Sequence, residues 1–164
     1  MGLRSIFIFA IAMLFFTAEA TAEGWQVYVN ARYATRAEVP ADFVAEPLPE
    51  NGDGQRFSDP KGSGTISIYG GMNATGGTLD DYRTFLKEIL EGEGWHLSYV
   101  PQGRNWFVLS GTREGEMIYQ RVEHAPGCSA DMLHHIAFRY LASEGTKWGQ
   151  IVRRGATTLD GPCG

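Results

Sequence analysis

Three of the four histidines in the sequence are the residues best suited to metal or acid–base chemistry. His124, His134 and His135 lie close together in the chain, and imidazole is the commonest side-chain ligand of transition metals. Adjacent residues of a regular strand point to opposite faces, so His134 and His135 cannot bind one ion from the same strand. Because no cysteine or carboxylate stands at a typical ligand spacing, we interpret the histidines as structural or solvated. The alternative is a metal-dependent or hydrolytic enzyme that uses this region.

A second group of titratable side chains is predicted on two neighbouring strands. His135 and Arg139 share one face of the later strand, and Arg121 and Glu123 alternate along the earlier one. We treat these four residues as a candidate polar patch on one sheet face. The simpler interpretation of the same residues is a set of solvent-side ion pairs, each of which contributes little to stability.

The remaining motifs each lack an essential part of the site they resemble. Residues 51–54, with the sequence Asn-Gly-Asp-Gly, lack the alternating carboxylates and closing glutamate of an EF-hand, so we predict an Asx-turn. The glycine-rich residues 70–78 lack the lysine of a P-loop and the spacing of a dinucleotide fingerprint, which favours a plain strand-to-helix connection. Ser110 lacks a nucleophile elbow. The sequence therefore predicts no catalytic, cofactor-binding or metal-binding residue, and no cofactor.

Alternation of apolar and polar residues with a period of two predicts the strands that position these side chains. A proline-rich and glycine-rich segment, residues 41–54, is expected to be a surface loop. The turn at residues 59–62, with Pro followed by Gly, favours a hairpin between its flanking strands. The predicted strands cover residues 25–30, 33–39, 55–58, 64–71, 95–99, 106–109, 117–122 and 133–141.

Two helices complete the predicted elements. Apolar residues at helical spacing run from Leu79 to about Glu91, with Thr78 as the N-cap and Gly92 as the left-handed residue that ends the helix. A second helix is expected over residues 146–158. Most connections between strands are too short for crossovers, which predicts an antiparallel sheet. The fold class is therefore α+β, a three-layer αβα sandwich with helices on both sheet faces.

The N-terminus has the layout of a cleavable signal peptide. Arg4 precedes an apolar run of eleven residues, 6–16, which as a helix would be about 16 Å long and cover only about half of a bilayer's hydrocarbon core. Small residues at Ala20 and Ala22 mark two candidate cleavage sites. We therefore predict a signal peptide over residues 1–22 and a single α+β domain over 23–164, in the periplasm or the medium.

Charge and cysteine content agree with export. The formal net charge of −5 gives no general attraction to nucleic acid or anionic lipid, and no segment after the leader is long and apolar enough to span a membrane. Two cysteines, Cys128 and Cys163, are most simply paired as a disulfide in an oxidising compartment. The alternative is two free thiols.

Several segments resemble a group of exported bacterial proteins of unassigned function. The segments are residues 29–40, 49–57, 67–70 and 105–111, and the resemblance covers most of the mature chain. It implies an extracytoplasmic location and supplies no catalytic residues. The order of elements is also similar to PsbP, the extrinsic lumenal protein of photosystem II, which implies an αβα sandwich around an antiparallel sheet.

The sequence as a whole favours a binding protein over an enzyme. We predict an exported, non-catalytic binding or accessory module of the cell envelope, which recognises an unknown envelope protein or a small ligand. Fold alone does not assign function, so the enzyme that uses His124, His134 or His135 stays the alternative hypothesis.

Overall fold

The structure is a computed structural model that describes residues 24–124 and 131–163. Within these residues the chain forms mostly strands, with one helix in the middle and one near the end. The elements are β1 (Trp25–Val29), β2 (Arg36–Pro40), β3 (Val44–Ala45), β4 (Gly54–Ser58), β5 (Thr65–Met72), α1 (Leu79–Gly92), β6 (His96–Tyr99), β7 (Trp106–Arg113), β8 (Glu116–Glu123), β9 (Met132–Leu141) and α2 (Gly145–Thr157), which follows a 3-10 turn at Ala142–Glu144.

Seven strands form one antiparallel sheet in the order β3-β4-β5-β9-β8-β7-β6. The hairpin predicted around residues 59–62 is β4 paired with β5. The last strand, β9, lies in the middle of the sheet between β5 and β8, so it joins the two halves of the chain. β1 and β2 form a separate two-stranded sheet, and the antiparallel α+β prediction is confirmed.

The sheet buries apolar side chains on both faces. On one face, here called the α2 face, Ile66, Ile68, Ile136 and Phe138 are fully buried against α2 and β2. On the other, the α1 face, Phe107, Leu109 and Leu133 are buried with Tyr82 and Leu90 of α1. Each such side chain contributes about 1.5–3 kcal/mol by leaving water. The three-layer αβα sandwich is therefore confirmed, with the β1–β2 hairpin beside α2.

α1 begins as predicted and ends at Gly92, one residue later than expected, and its left-handed residue lies two positions later than expected. Thr78 and Asp81 form a capping box, in which each side chain accepts a hydrogen bond from the other's backbone N–H. Gly92 lies inside the helix, and the left-handed residue is Gly94, with φ of +88°. The backbone N–H of Trp95 donates to the Leu90 carbonyl and that of Gly94 to Glu91, which is a Schellman motif. The expectation for Gly92 is wrong because this motif requires the left-handed residue after the C-cap.

Other boundaries differ from the prediction as well, β7 by four residues at its end, and two of the differences have a clear physical reason. The second strand was expected from Tyr33 but begins at Arg36, because Asn30 Oδ1 accepts hydrogen bonds from the backbone N–H groups of Arg32 and Tyr33 and closes a turn. The predicted loop 41–54 contains the two-residue strand β3, paired with β4. Among the residues that the structure describes, no helix is long and apolar enough to cross a membrane.

Candidate functional site

His135 lies fully buried on the α1 face, between two tyrosines. Its ring stacks on Tyr69 with a centroid distance of 4.4 Å and an interplanar angle of 6°. Its Nε2 lies 3.0 Å from Oη of Tyr82, which α1 supplies. Burial lowers the pKa of His135 to about 3, because a charged imidazole has no water around it. His135 is therefore a neutral structural residue.

The same contacts extend into a buried polar network. Gln120 donates a hydrogen bond of 2.9 Å to Oη of Tyr69, and burial raises the pKa of both Tyr69 and Tyr82. Tyr82, His135, Tyr69 and Gln120 thus connect α1, β9, β5 and β8. Of these four residues, only His135 was predicted as a candidate site residue from the sequence, and the periodic patterns of the strands and of α1 gave no sign that the four would meet.

His134 points to the opposite face and holds the C-terminal segment. Its Nε2 lies 3.0 Å from the Pro162 carbonyl, and its Nδ1 lies 2.7 Å from Oγ1 of Thr35. A carbonyl only accepts, so Nε2 carries the proton and Nδ1 accepts from the threonine hydroxyl. Burial lowers the pKa of His134. A side chain at Gly161 would collide with this ring, so the tail packs directly on it.

The three histidines do not converge. His134 and His135 lie on opposite faces of β9 with partners inside the protein, and His124 lines a surface cavity. Across residues 24–124 and 131–163, no group of three or more His, Cys, Asp or Glu side chains could hold a metal ion. Within the described residues these three histidines therefore do not form a three-ligand metal site.

The predicted polar patch is divided between the two faces of the sheet. β8 and β9 pair with Arg121 opposite Ile136 and Val122 opposite His135, and directly opposed residues share a face. Arg121 and Glu123 therefore lie on the α2 face, whereas His135 and Arg139 lie on the α1 face. The four residues do not form one patch.

Each half of the divided patch contains an ion pair stacked on a tryptophan. Arg121 lies 2.7 Å from Glu123 and 4.6 Å from the ring centroid of Trp106. Arg139 lies 3.6 Å from Glu93 and 5.5 Å from the ring of Trp95. Burial raises the pKa of Glu123, although Arg121 opposes the shift. The simpler interpretation of solvent-side ion pairs therefore fits Arg139 with Glu93, whereas Arg121 and Glu123 are largely buried, with side chains 21% and 18% exposed.

The other sequence motifs also have structural contacts. Asn51 Oδ1 accepts a hydrogen bond from the backbone N–H of Asp53, as in an Asx-turn, and the Asp53 carboxylate pairs with Arg32 at 2.7 Å. Ser110 is buried and donates to the Ile118 carbonyl at 2.8 Å. The glycine-rich connection is held by Asn73, whose side chain bonds both Thr75 and Gly77. These polar side chains thus stabilise turns and strands.

A surface cavity of about 390 Å³ lies between the first turn of α1 and the turn that precedes β7. It combines two arginines and a histidine with apolar and aromatic side chains, and sequence reasoning did not find it. Among the described residues its lining comprises Thr78, Leu79, Asp80, Arg83, Gln102, Gly103, Arg104, Trp106, Phe107 and His124.

No family model and no curated protein matches this sequence, but solved structures match its fold. The solution structure of cyanobacterial PsbP (CyanoP) from Synechocystis sp. PCC 6803 matches 91% of this chain and 99% of its own, with a TM-score of 0.63 and 12% identity. The crystal structure of the Ran-binding protein Mog1p of Saccharomyces cerevisiae matches 85% of this chain and 96% of its own, with a TM-score of 0.58 and 11% identity.

A variant of protein Mog1 gives a similar result, with a TM-score of 0.60 and 10% identity over 84% of this chain and 95% of its own. At such identities the likeness establishes the fold alone, and it confirms the predicted PsbP-like architecture. The resemblance to exported bacterial proteins has no support from these matches and stays a prediction.

Proposed function

We propose that this protein is an exported, non-catalytic binding or accessory module of the cell envelope, periplasmic or secreted, whose partner is an envelope protein or a small ligand. One observation carries the non-catalytic part of the proposal. His134 and His135, the residues best suited to chemistry, are buried and bonded to Thr35, Pro162 and Tyr82 within the protein. Side chains used in this way stabilise the fold and are not available to a substrate.

The comparisons support a binding role at the level of the fold. One similar structure is named a Ran-binding protein, and the other is cyanobacterial PsbP. This architecture therefore serves a protein that recognises another protein. The acidic net charge of −5 argues against nucleic acid as the partner of this chain.

Export and oxidation belong to the same proposal. The leader over residues 1–22 and Cys128 lie outside the described residues, so both the cleavage and the Cys128–Cys163 disulfide rest on the sequence. Removal of the leader leaves residues 23–164 as the proposed single domain, working without a membrane span.

The proposal is tested by chemical crosslinking in native cells, followed by fractionation and N-terminal sequencing of the recovered protein. We expect a chain that starts at Thr21 or Glu23, found in the envelope or the medium and joined to a specific partner or ligand. An intact Met1 in the cytoplasmic fraction would contradict export.

The enzyme alternative has its own test by thermal shift with zinc, copper and calcium. His96 is exposed on the edge strand β6 and serves as the matched control for His124. We expect no metal to raise the melting temperature. Stabilisation by a metal that persists in His96→Ala and is lost in His124→Ala would favour the metal-dependent enzyme instead.

A further inference from the structure

The cavity between α1 and the turn before β7 has the size of a small-molecule site. Its volume of about 390 Å³ falls within the usual range for such sites. Its apolar wall comes from Leu79, Phe107 and Trp106, and Phe107 belongs to the core on the α1 face. The wall is therefore held in place by the folded sheet, and a bound molecule would meet a preformed surface.

Basic side chains enter the cavity from both of its sides. Arg83 comes from α1, and Arg104 comes from the turn before β7. Arg83 donates to Asp80 Oδ1 at 3.3 Å, but its buried Nε has no hydrogen-bond partner within the described part of the chain. Arg104 is exposed and makes no ion pair or hydrogen bond with any described residue. Because Nε of Arg83 is buried, an entering oxyanion would meet the terminal N–H groups of the Arg83 and Arg104 guanidiniums.

The charge balance of the cavity selects the kind of anion. Among the lining side chains, two arginines face one carboxylate, Asp80. The neighbouring Asp81 carboxylate accepts hydrogen bonds from Thr78 and compensates the positive end of the α1 dipole. Arg83 is paired with Asp80, so Arg104 is the lining arginine without a described partner. A monoanion balances Arg104, whereas a dianionic phosphate would leave excess negative charge beside Asp80.

The turn before β7 fixes Trp106, a tryptophan that lines the cavity. The backbone N–H of Gly103 donates to the Trp106 carbonyl at 2.8 Å, and a side chain at Gly103 would collide with the Trp106 indole. Arg121 covers one face of that ring. The indole is therefore positioned by contacts from two sides, as a rigid wall for the apolar part of a ligand.

From these features we infer that the cavity binds a small monocarboxylate with an apolar body, its carboxylate bound to Arg83 and Arg104 and its body packed on Leu79 and Trp106. This deepens the proposed binding function, because it names the chemical class of the small ligand. It does not depend on where the protein works in the cell, so a failed export test leaves it standing.

The test uses the purified protein and ¹⁵N NMR, with the indole N–H of Trp106 as the reporter. The probes are 3-phenylpropionate, its neutral analogue 3-phenylpropanol, and inorganic phosphate. We expect saturable shifts of the Trp106 signal with 3-phenylpropionate, at least about tenfold weaker binding of the alcohol, and no saturation with phosphate. Higher salt should weaken the binding of 3-phenylpropionate and leave the binding of 3-phenylpropanol unchanged.

Matched arginine variants separate the site from a general charge effect. Arg104→Gln removes a cavity guanidinium from an exposed position, and Arg153→Gln removes an exposed one from α2, away from the cavity. We expect Arg104→Gln to weaken the binding of 3-phenylpropionate at least about tenfold and Arg153→Gln to leave this binding unchanged. Equal binding by the two variants, equal binding of acid and alcohol, tighter binding of phosphate, or no saturable shift with any probe would overturn the inference.

Discussion

The uncharged state of His135 is a consequence of where its ring lies. The ring is stacked on Tyr69, contacts Tyr82 and is fully buried. Neither tyrosine carries a negative charge that could replace the water around an imidazolium. The unfolded chain has no such constraint and protonates near a pKa of 6.5, whereas the folded pKa is about 3. The difference couples folding to pH.

We expect acid to destabilise the protein through His135. Between pH 6.5 and about 3 the unfolded state binds a proton that the folded state does not, so stability is full above pH 6.5 and falls as the pH decreases through this window. The loss from this residue is on the order of 4 to 5 kcal/mol at most. Urea unfolding at a series of pH values measures this loss as a decrease in the free energy of unfolding.

His135→Phe is the control for this pH dependence. Phenylalanine keeps an aromatic ring against Tyr69 but cannot titrate, and it removes the hydrogen bond of Tyr82, which costs about 1–2 kcal/mol at neutral pH. We expect a flatter pH profile in this variant, with a remaining slope from His134, whose pKa is also lowered by burial. An unchanged profile would show that His135 is not the titrating group.

At the residue scale, sequence patterns predicted which side chains alternate along a strand but not which of them become neighbours. The pattern placed Arg121 beside His135, and a shift of one residue in pairing places it opposite Ile136. Such a shift moves every side chain of a strand to the other face. The register depends on the β8–β9 pairing as a whole, which alternation within one strand does not encode.

The two glycines inside α2 have different surroundings. Gly149 is exposed, and a Cβ at that position would meet no atom within 4 Å. Gly155 is buried, and a Cβ there would lie 2.8 Å from Phe138 Cζ and 3.2 Å from Ile136 Cδ1. Of the two, only Gly149 is therefore free of a packing role.

We expect opposite effects when each glycine is replaced by alanine. Gly149→Ala should stabilise the protein by about 0.5–1 kcal/mol, because alanine loses less conformational entropy in a helix. Gly155→Ala gains the same helix propensity. Its methyl group, however, forces α2 away from β9, and overpacking of this kind costs about 1–3 kcal/mol of stability. Thermal unfolding of the two variants beside the parent protein measures both. Equal stabilisation would show that α2 does not pack closely on Phe138.

Elements were more predictable than their arrangement. The apolar stripe and Thr78 cap marked α1 because both signals lie within one stretch of sequence. The central position of β9 depends on pairing with β5, more than sixty residues earlier in the chain, and no local pattern reports such a contact. The short strand β3 exists because β4 offers an edge to it, in a segment whose own composition indicates a loop.

At the scale of the whole molecule, the C-terminal segment is bonded to β2, near the N-terminal end of the described residues. Arg36 and Asp160 exchange backbone hydrogen bonds of 2.8 and 2.9 Å, and their side chains form an ion pair. His134 then binds the carbonyl of Pro162. The tail therefore runs over the α2 face beside β2. Cys163 follows directly after Pro162, whose carbonyl is held by His134.

The candidate cavity also appears only at this scale. Its lining comes from the start of α1, the turn before β7 and the end of β8, which are separate stretches of sequence. Arg83 and Arg104 carry no motif that marks them as a pair. Their proximity follows from the packing of α1 on the sheet, so composition and spacing alone could not predict the site.

We expect the anchored tail to be reinforced by a Cys128–Cys163 disulfide. The bridge would close a loop of 35 residues, and the lost entropy of the unfolded chain corresponds to about 3.5–4 kcal/mol of stability. Addition of a reductant should therefore lower the free energy of unfolding of the parent protein by about this amount. A variant with both cysteines replaced by serine should have the lower stability from the start and no response to reductant. Intact-mass measurement after alkylation without reductant provides the decisive control, because two labelled thiols would contradict the bridge. In that case the tail would still be held in place by its contacts with His134 and Arg36.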